Sequence, residues 1–278
     1  MRKVNKSIFV LLLAVTLFSC GDKTAWELTG VEGRKPWFHP QPLGTVYIPT
    51  GTYHSGQSDQ DIFKSYIAPN KQVSIHAMWM DETEITNNEY RQFVYYVIDS
   101  TARYMMEEPY TKEVEDVDDS YYMIDYDEEV DWSDGEVKEN TNDMIYRPRE
   151  RYRHKRQVDV RKLWYEYQFV DYQKAARADY WNSDRTKFIV KKKVRIYPDT
   201  LCWIRDFTYS YNDPMVRVYF YHPKYDDYPV VGVNWHQANA FCDWRTRIMQ
   251  VHWDREEQPI TEMWRLPTEF EWEYAARD

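Results

Sequence analysis

Apolar residues recur at two different periods along this chain. After Thr86, the residues Tyr90, Phe93, Val94 and Val97 fall at i, i+3, i+4 and i+7, one stripe along a helix. Thr86 stands where it can cap that helix, with Glu89 as its capping-box partner three residues on. The same start recurs near the end of the chain. Thr268 is placed to cap, Glu271 can reach back to the cap's own N–H, and Pro267 fixes the approach and keeps Leu266 extended. In that second helix Phe270, Tyr274 and Ala275 recur at helical spacing, while Trp272 and Ala276 mark a second apolar side. It is therefore expected to be buried over much of its circumference. Alternation marks strands instead. Residues 44–56 alternate around Pro49-Thr50-Gly51 and predict a hairpin. Residues 71–80 place Val73, Ile75, Ala77 and Trp79 on one face, and residues 188–194 predict a further strand centred on Lys191, Lys192 and Lys193. Capped helices with short alternating strands give a mixed α+β fold with few helices and much irregular structure.

Charge alters the picture between the two helices. Residues 107–139 carry 15 acidic side chains against Lys112 and Lys138, whereas residues 147–162 carry 8 basic ones against Glu150 and Asp159. The acidic block outweighs the formal charge of −10 for the whole chain. It is expected to be a solvated loop: Asp125, Asp127, Glu128, Glu129 and Asp131 lack the spacing and the twelfth-place glutamate of a calcium loop. The basic block, with Arg147, Arg149, Arg151 and Arg153 at alternate positions, is expected to meet protein or to pair with the acidic block. Overall acidity argues against a general nucleic-acid role, which draws on clustered Lys and Arg. Only 8 Gly argue against a glycine-rich phosphate cradle, and 25 Tyr with 12 Trp suit a protein-binding surface, because such rings bury area and keep a polar tip.

The N-terminus reads as an export signal. Arg2, Lys3 and Lys6 precede an apolar stretch, residues 8–18, too short to span a bilayer as a helix. Leu17-Phe18-Ser19-Cys20 resembles a lipobox, so residues 1–19 are expected to be removed and Cys20 to be lipidated; the alternative is an ordinary cleaved signal. Residues 20–42, with Pro36, Pro40 and Pro42, read as a tether, and residues 43–278 as the domain, carrying a charged insertion at about 99–196. Beyond Cys20 only Cys202 and Cys242 remain, and one pair is no disulfide framework for 278 residues. Cys242, between Phe241 and Trp244, reads as a small apolar core residue. His154, His222, His236 and His252 show no ligand spacing.

The run from Arg265 through Leu266, Pro267, Thr268, Glu269, Phe270, Glu271, Trp272, Glu273, Tyr274, Ala275 and Ala276 to Arg277 resembles the signature of the formylglycine-generating-enzyme domain, the sulfatase-modifying-factor family. Glu84-Ile85-Thr86-Asn87-Asn88-Glu89-Tyr90 and Pro229-Val230-Val231-Gly232-Val233-Asn234-Trp235-His236-Gln237-Ala238, with Trp244 beyond, fit the same family in the same order. The resemblance implies a formylglycine-generating-enzyme-like, C-type-lectin-like fold, with Glu84, Thr86, Asn87, Tyr90, Trp235, Ala238, Trp244 and the Arg265–Glu273 run as fold residues. Glu84 and Asn87 are expected to tie off a strand-to-helix corner. The family's copper-binding cysteine pair and most of its calcium ligands lie C-terminal to the signature, beyond Asp278. The expectation is therefore a domain incomplete at its C-terminus and marginal alone, with no catalytic residue and no copper or calcium site.

Residues 197–214, with Tyr221-His222-Pro223 and residues 225–233, resemble one branch, the ring-forming lipoproteins of the Bacteroidetes type IX secretion and gliding machinery (PorK/GldK, with GldJ as a sister). That branch implies a non-catalytic outer-membrane lipoprotein facing the periplasm, assembling with copies of itself and with a PorN/GldN-type partner. A formylglycine-generating oxidase acting on protein cysteine, or a surface ligand-binding lipoprotein, are the alternatives. The charge separation adds its own expectation: the basic face around Arg147, Arg149, Arg151 and Arg153 of one subunit meets the acidic face of the next.

Overall fold

The computed structural model describes residues 38–56, 70–115, 120–177, 184–207, 209, 213–259 and 262–277. The expected signal segment and Cys20 lie outside the described residues, as does most of the tether. Contacts divide the chain into Met1–Leu43 and Gly44–Asp278, and every strand and helix described below belongs to the second unit.

That unit opens with an interrupted two-stranded ribbon. Strands β1 (Thr45–Ile48) and β2 (Gly51–Ser55) do not pair with each other, contrary to the hairpin expected around Pro49-Thr50-Gly51. β1 pairs antiparallel with β4 (Met78–Asp81), and β2 with β3 (Lys71–Ile75). One register runs through both halves, from Thr45↔Asp81 to Ser55↔Lys71, so the pairs form a single ribbon interrupted at Pro49 and Thr50. The reason is local. Pro49 has no N–H to give a ladder, and Thr50 Oγ1 accepts instead from the Ala77 N–H across the break at 2.9 Å. Ala77 therefore lies in the break, exposed, rather than on a buried strand face.

Helices α1 (Asn87–Met106) and α6 (Trp235–Arg255) carry the core. The α1 stripe forms as its spacing requires, with Tyr90, Phe93, Val94 and Val97 all buried. Tyr90 stacks on Phe241 of α6 with ring centroids 5.6 Å apart, and Phe93 meets Trp244 at 5.3 Å. Both helices begin with a full capping box, Thr86 with Glu89 and Asn234 with Gln237. Only the first was expected, although Asn-x-x-Gln at the second carries the same kind of signal.

The charged middle of the chain is built into this core. Arg103, in the last turn of α1 and 6% exposed, pairs with Asp99 at 2.7 Å and donates to the carbonyls of Asp125 and Glu128 at 2.6 Å each. Held this way, the acidic block forms a hairpin of β5 (Thr111–Glu115) and β6 (Ser120–Ile124), then α2 (Gly135–Asn140), rather than the solvated loop expected from its charge. Strand β7 (Trp164–Val170) follows, then α3 (Tyr172–Ala175) and β8 (Ile189–Arg195), which pairs antiparallel with β7. The inward residues Tyr165 and Tyr167 are buried in the same cluster as α1 and α6, and Tyr165 donates to Asp243 of α6 at 2.8 Å. The chain then passes through α4 (Cys202–Asp206) and α5 (Pro214–Val218) to α6, and finishes in α7 (Glu269–Arg277).

Phe93 is fully enclosed, whereas Tyr95, two residues on in the same helix, is 63% exposed. Phe93→Ala is expected to cost about 4 kcal/mol in urea-unfolding stability, as a large ring removed from a packed core. Tyr95→Ala is expected to stay within about 0.5 kcal/mol. Equal effects would show that the α1 stripe is not the core.

Candidate functional site

The three stretches that carry the family resemblance each contain a corner where a strand or loop enters a helix. At the first, Thr86 caps α1 and forms an isolated bridge to Pro229, while the Val230 N–H donates to Ile85 O at 2.8 Å. Asn87 is wholly buried, and its side-chain amide donates to Tyr225 O at 2.8 Å and to Tyr219 O at 3.4 Å. Its backbone N–H donates to Tyr228 O at 2.9 Å. Arg91 continues the clamp, donating to Phe220 O at 3.0 Å and pairing with Asp226. Asn87 thus fastens residues 219–229 to the start of α1. Glu84 stands exposed beside this corner.

At the second corner, Asn234 and Gln237 satisfy each other's backbone N–H groups, and the Gln237 amide donates to Arg195 O and Tyr197 O at 3.0 and 2.9 Å. Gly232 precedes the cap with φ +82°, and a Cβ there would stand 2.2 Å from the Asp199 carbonyl oxygen. Only glycine fits that approach. Trp244 is buried in the core, Ala238 is half-buried, and Trp235 is 60% exposed. An open cleft of about 340 Å³ lies here, lined by Tyr197, Asp199, Arg205, Gly232, Asn234 and Gln237. Its polar groups already engage one another: Asp199 pairs with Arg205 and accepts from the Leu201 N–H at 3.0 Å, and the cap residues bond reciprocally.

The third corner is the signature run itself. Arg265 grips Glu271 through two hydrogen bonds of 2.6 and 2.7 Å, and Glu271 also accepts from the Thr268 N–H at 2.8 Å. Those hydrogen bonds hold the Glu271 carboxyl down to about 2, from an ordinary 4.5. Glu273 reaches the ribbon, accepting from Ser55 Oγ at 2.5 Å and from the Gly56 N–H at 3.1 Å, and the Ser55 hydrogen bond leads in lowering its pKa. Tyr274 packs over Gly51, whose missing Cβ leaves room for its hydroxyl. Arg245 of α6 ties the same region to β4, with two 2.7 Å bonds to Asp81 and its guanidinium 3.7 Å from the Trp264 ring centroid. Trp272 is 64% exposed, and Glu269, Phe270 and Ala276 are exposed too. The expected burial of α7 around most of its circumference is thus corrected: Tyr274 is its one buried residue, because α7 rests on the ribbon along a single edge.

Both described cysteines are free thiols, and burial pushes the Cys242 thiol up to about 11. It is protonated at neutral pH and a poor nucleophile or metal ligand in that form. Among the described residues no three His, Cys, Asp or Glu side chains are grouped as metal ligands.

The arrangement is one of interlocked corners, and it coincides with a family pattern: residues 37–278 match the sulfatase-modifying factor enzyme 1-like domain. The chain belongs to that family. It is also similar to the formylglycine-generating enzyme of Bos taurus, 23% identical over 246 residues, which are 88% of this chain and 42% of that enzyme. The chain therefore spans less than half the length of that relative. Its fold is a sulfatase-modifying-factor domain of mixed helices and short strands.

Glu271 supplies a pH test of the third corner. Its folded pKa is depressed, so its contribution is complete above about 4.5 and disappears as pH falls toward about 2. Acid titration of stability should show a loss in that window worth about 1 kcal/mol, after screening at the half-exposed Arg265. Glu271→Gln should flatten that part of the profile. A profile left unchanged by the substitution would show that the ion pair does not hold the corner.

Proposed function

We propose that this chain is a non-catalytic structural lipoprotein of the type IX secretion and gliding machinery, of the PorK/GldK kind or its GldJ sister. In this reading it is anchored through Cys20 to the periplasmic face of the outer membrane. There it builds a ring with copies of itself and a PorN/GldN-type protein. The observation that carries the reading is the engagement of the signature side chains. Arg265, Glu271, Glu273, Asn87 and Gln237 all engage one another, the Ser55 hydroxyl or backbone groups, an arrangement suited to holding a shape. The lipobox-like Leu17-Phe18-Ser19-Cys20 supports the location, and the exposed aromatics Tyr95, Tyr104, Tyr126 and Trp132 support a protein-facing role. We read the short twisted strands and irregular connections as the C-type-lectin-like variant of an α+β fold.

The second reading is a formylglycine-generating oxidase acting on protein cysteine, favoured by the name of the Bos taurus relative. It requires a thiol pair that Cys202 and Cys242, unpaired and with raised pKa values, do not supply.

Two measurements separate the readings. In the structural one, Cys20→Ala abolishes fatty-acid labelling and releases the protein from the outer-membrane fraction, and loss of the gene stops type IX secretion until the wild-type copy is restored. Copper-dependent conversion of a cysteine peptide to its aldehyde by the protein of the complete gene would overturn it in favour of the oxidase.

A further inference from the structure

The charged middle of the chain presents two surfaces of opposite sign that do not meet within one molecule. The basic one is the loop between Tyr146 and Gln157, which holds Arg147, Arg149, Arg151, Arg153, Lys155 and Arg156 against a single acid, Glu150. Its base is fixed. Ile145 bridges Val158, the Tyr146 N–H donates to Gln157 O at 3.0 Å, and the Asp159 N–H donates to Met144 O at 2.7 Å. Two of its cations fold inward: Arg151 donates to Tyr146 O at 2.8 Å, and Arg156 to Lys138 O at 2.5 Å and Thr141 Oγ1 at 2.9 Å. Arg161, outside the loop, takes up Glu150. Arg147, Arg149, Arg153 and Lys155 are left exposed, and among the described residues none of them pairs with a carboxylate.

The acidic surface is residues 126–132. Asp127, Glu128, Glu129 and Asp131 are exposed, and none of them forms an ion pair among the described residues. Its backbone is held from beneath by Arg103 through the Asp125 and Glu128 carbonyls. The turn at Asp131 is fixed by hydrogen bonds from Ser133 that also depress its carboxyl. Trp132, 45% exposed, stands among these acids as a ring on which a guanidinium can stack. Both surfaces are ordered before any partner arrives, which lowers the cost of joining them. Pairing between the two surfaces would have answered both charges, and among the described residues the fold does not make it.

We propose that the basic loop of one copy docks on the acidic strip of the next, Arg147, Arg149, Arg153 and Lys155 against Asp127, Glu128, Glu129 and Asp131, with Trp132 receiving an arginine. The contact joins two different patches, so it repeats head to tail, the arrangement that closes into rings. It deepens the ring reading above and takes its setting from it, but it stands on charge complementarity between two surfaces of this chain.

Sedimentation velocity on the full chain in detergent tests it. Wild-type protein should self-associate, and the association should weaken about tenfold or more between about 50 and 500 mM salt, as expected for several exposed pairs. Reversing the loop (Arg147→Glu, Arg149→Glu, Arg153→Glu, Lys155→Glu) or the strip (Asp127→Lys, Glu128→Lys, Glu129→Lys) should leave each variant monomeric. Mixing the two variants, or combining both reversals in one chain, should restore association, which a merely unfolded variant cannot do. Association that persists through either single reversal places the contact elsewhere and overturns the proposal, while a secretion defect on gene loss would still support the ring reading. Wild-type protein that stays monomeric also overturns it. So does binding to phosphatidylglycerol vesicles that is lost on loop reversal while self-association is untouched, because the loop's partner is then the lipid surface.

Discussion

One side chain, Tyr90, joins three segments that are far apart in the sequence. Its ring lies against Phe241 of α6 and edge-on to Phe93 of its own helix, and its hydroxyl donates to Ile196 O at 2.7 Å, just past the end of β8. Burial pushes that hydroxyl's pKa well above the usual tyrosine value, so it remains a donor at any physiological pH. A phenylalanine would keep the ring contacts and leave the Ile196 carbonyl without this donor inside the core. Tyr90 thus links the family motif at Glu84–Tyr90, the motif at α6 and the end of the long stretch between them. The charged stretch is part of the domain's interior framework rather than an appendage.

What could be read in advance was local. Thr86 with Glu89 and Thr268 with Glu271 were legible because a capping box is a contact between neighbours, and both boxes form. The α1 stripe was legible because its period fixes which side chains share a face. Readings that depended on distant partners went differently. Alternation located β1 and β2 but said nothing of which strands they join, and Pro49 turned an expected hairpin into one arm of a longer ribbon. The period of α7 placed Trp272 and Ala276 on an apolar side without showing that only the Tyr274 edge meets a neighbour. The acidic block gave no sign of order in its own composition, and one of its ties is to Arg103, more than twenty residues before the Asp125 and Glu128 carbonyls it holds.

Inside the framework, charge is matched locally. Arg91 has Asp226, Arg103 has Asp99, Arg245 has Asp81 and Arg265 has Glu271, and in each pair at least one partner is largely withdrawn from solvent. An unanswered charge there would be costly, so the fold supplies each answer. The loop after Tyr146 obeys a different rule. Water solvates its exposed cations, stability requires no counter-charge, and the firm hydrogen bonds at its base hold it in place without neutralising it. Stability alone thus explains where the loop starts and ends and why Arg151 and Arg156 fold inward, but not the exposed Arg147, Arg149, Arg153 and Lys155.

The same distinction applies to the family signature. Arg265, Glu271, Glu273, Asn87 and Gln237 are the kinds of side chain that often do chemistry, yet each is engaged by a neighbour and satisfies a helix end, a turn or a carbonyl left open by an irregular connection. A domain with short strands and many connections has more such backbone groups to satisfy than a regular sheet or bundle. Polar residues fixed at its corners are the structural solution to that burden. In this chain, the family signature positions are therefore occupied by side chains that hold corners.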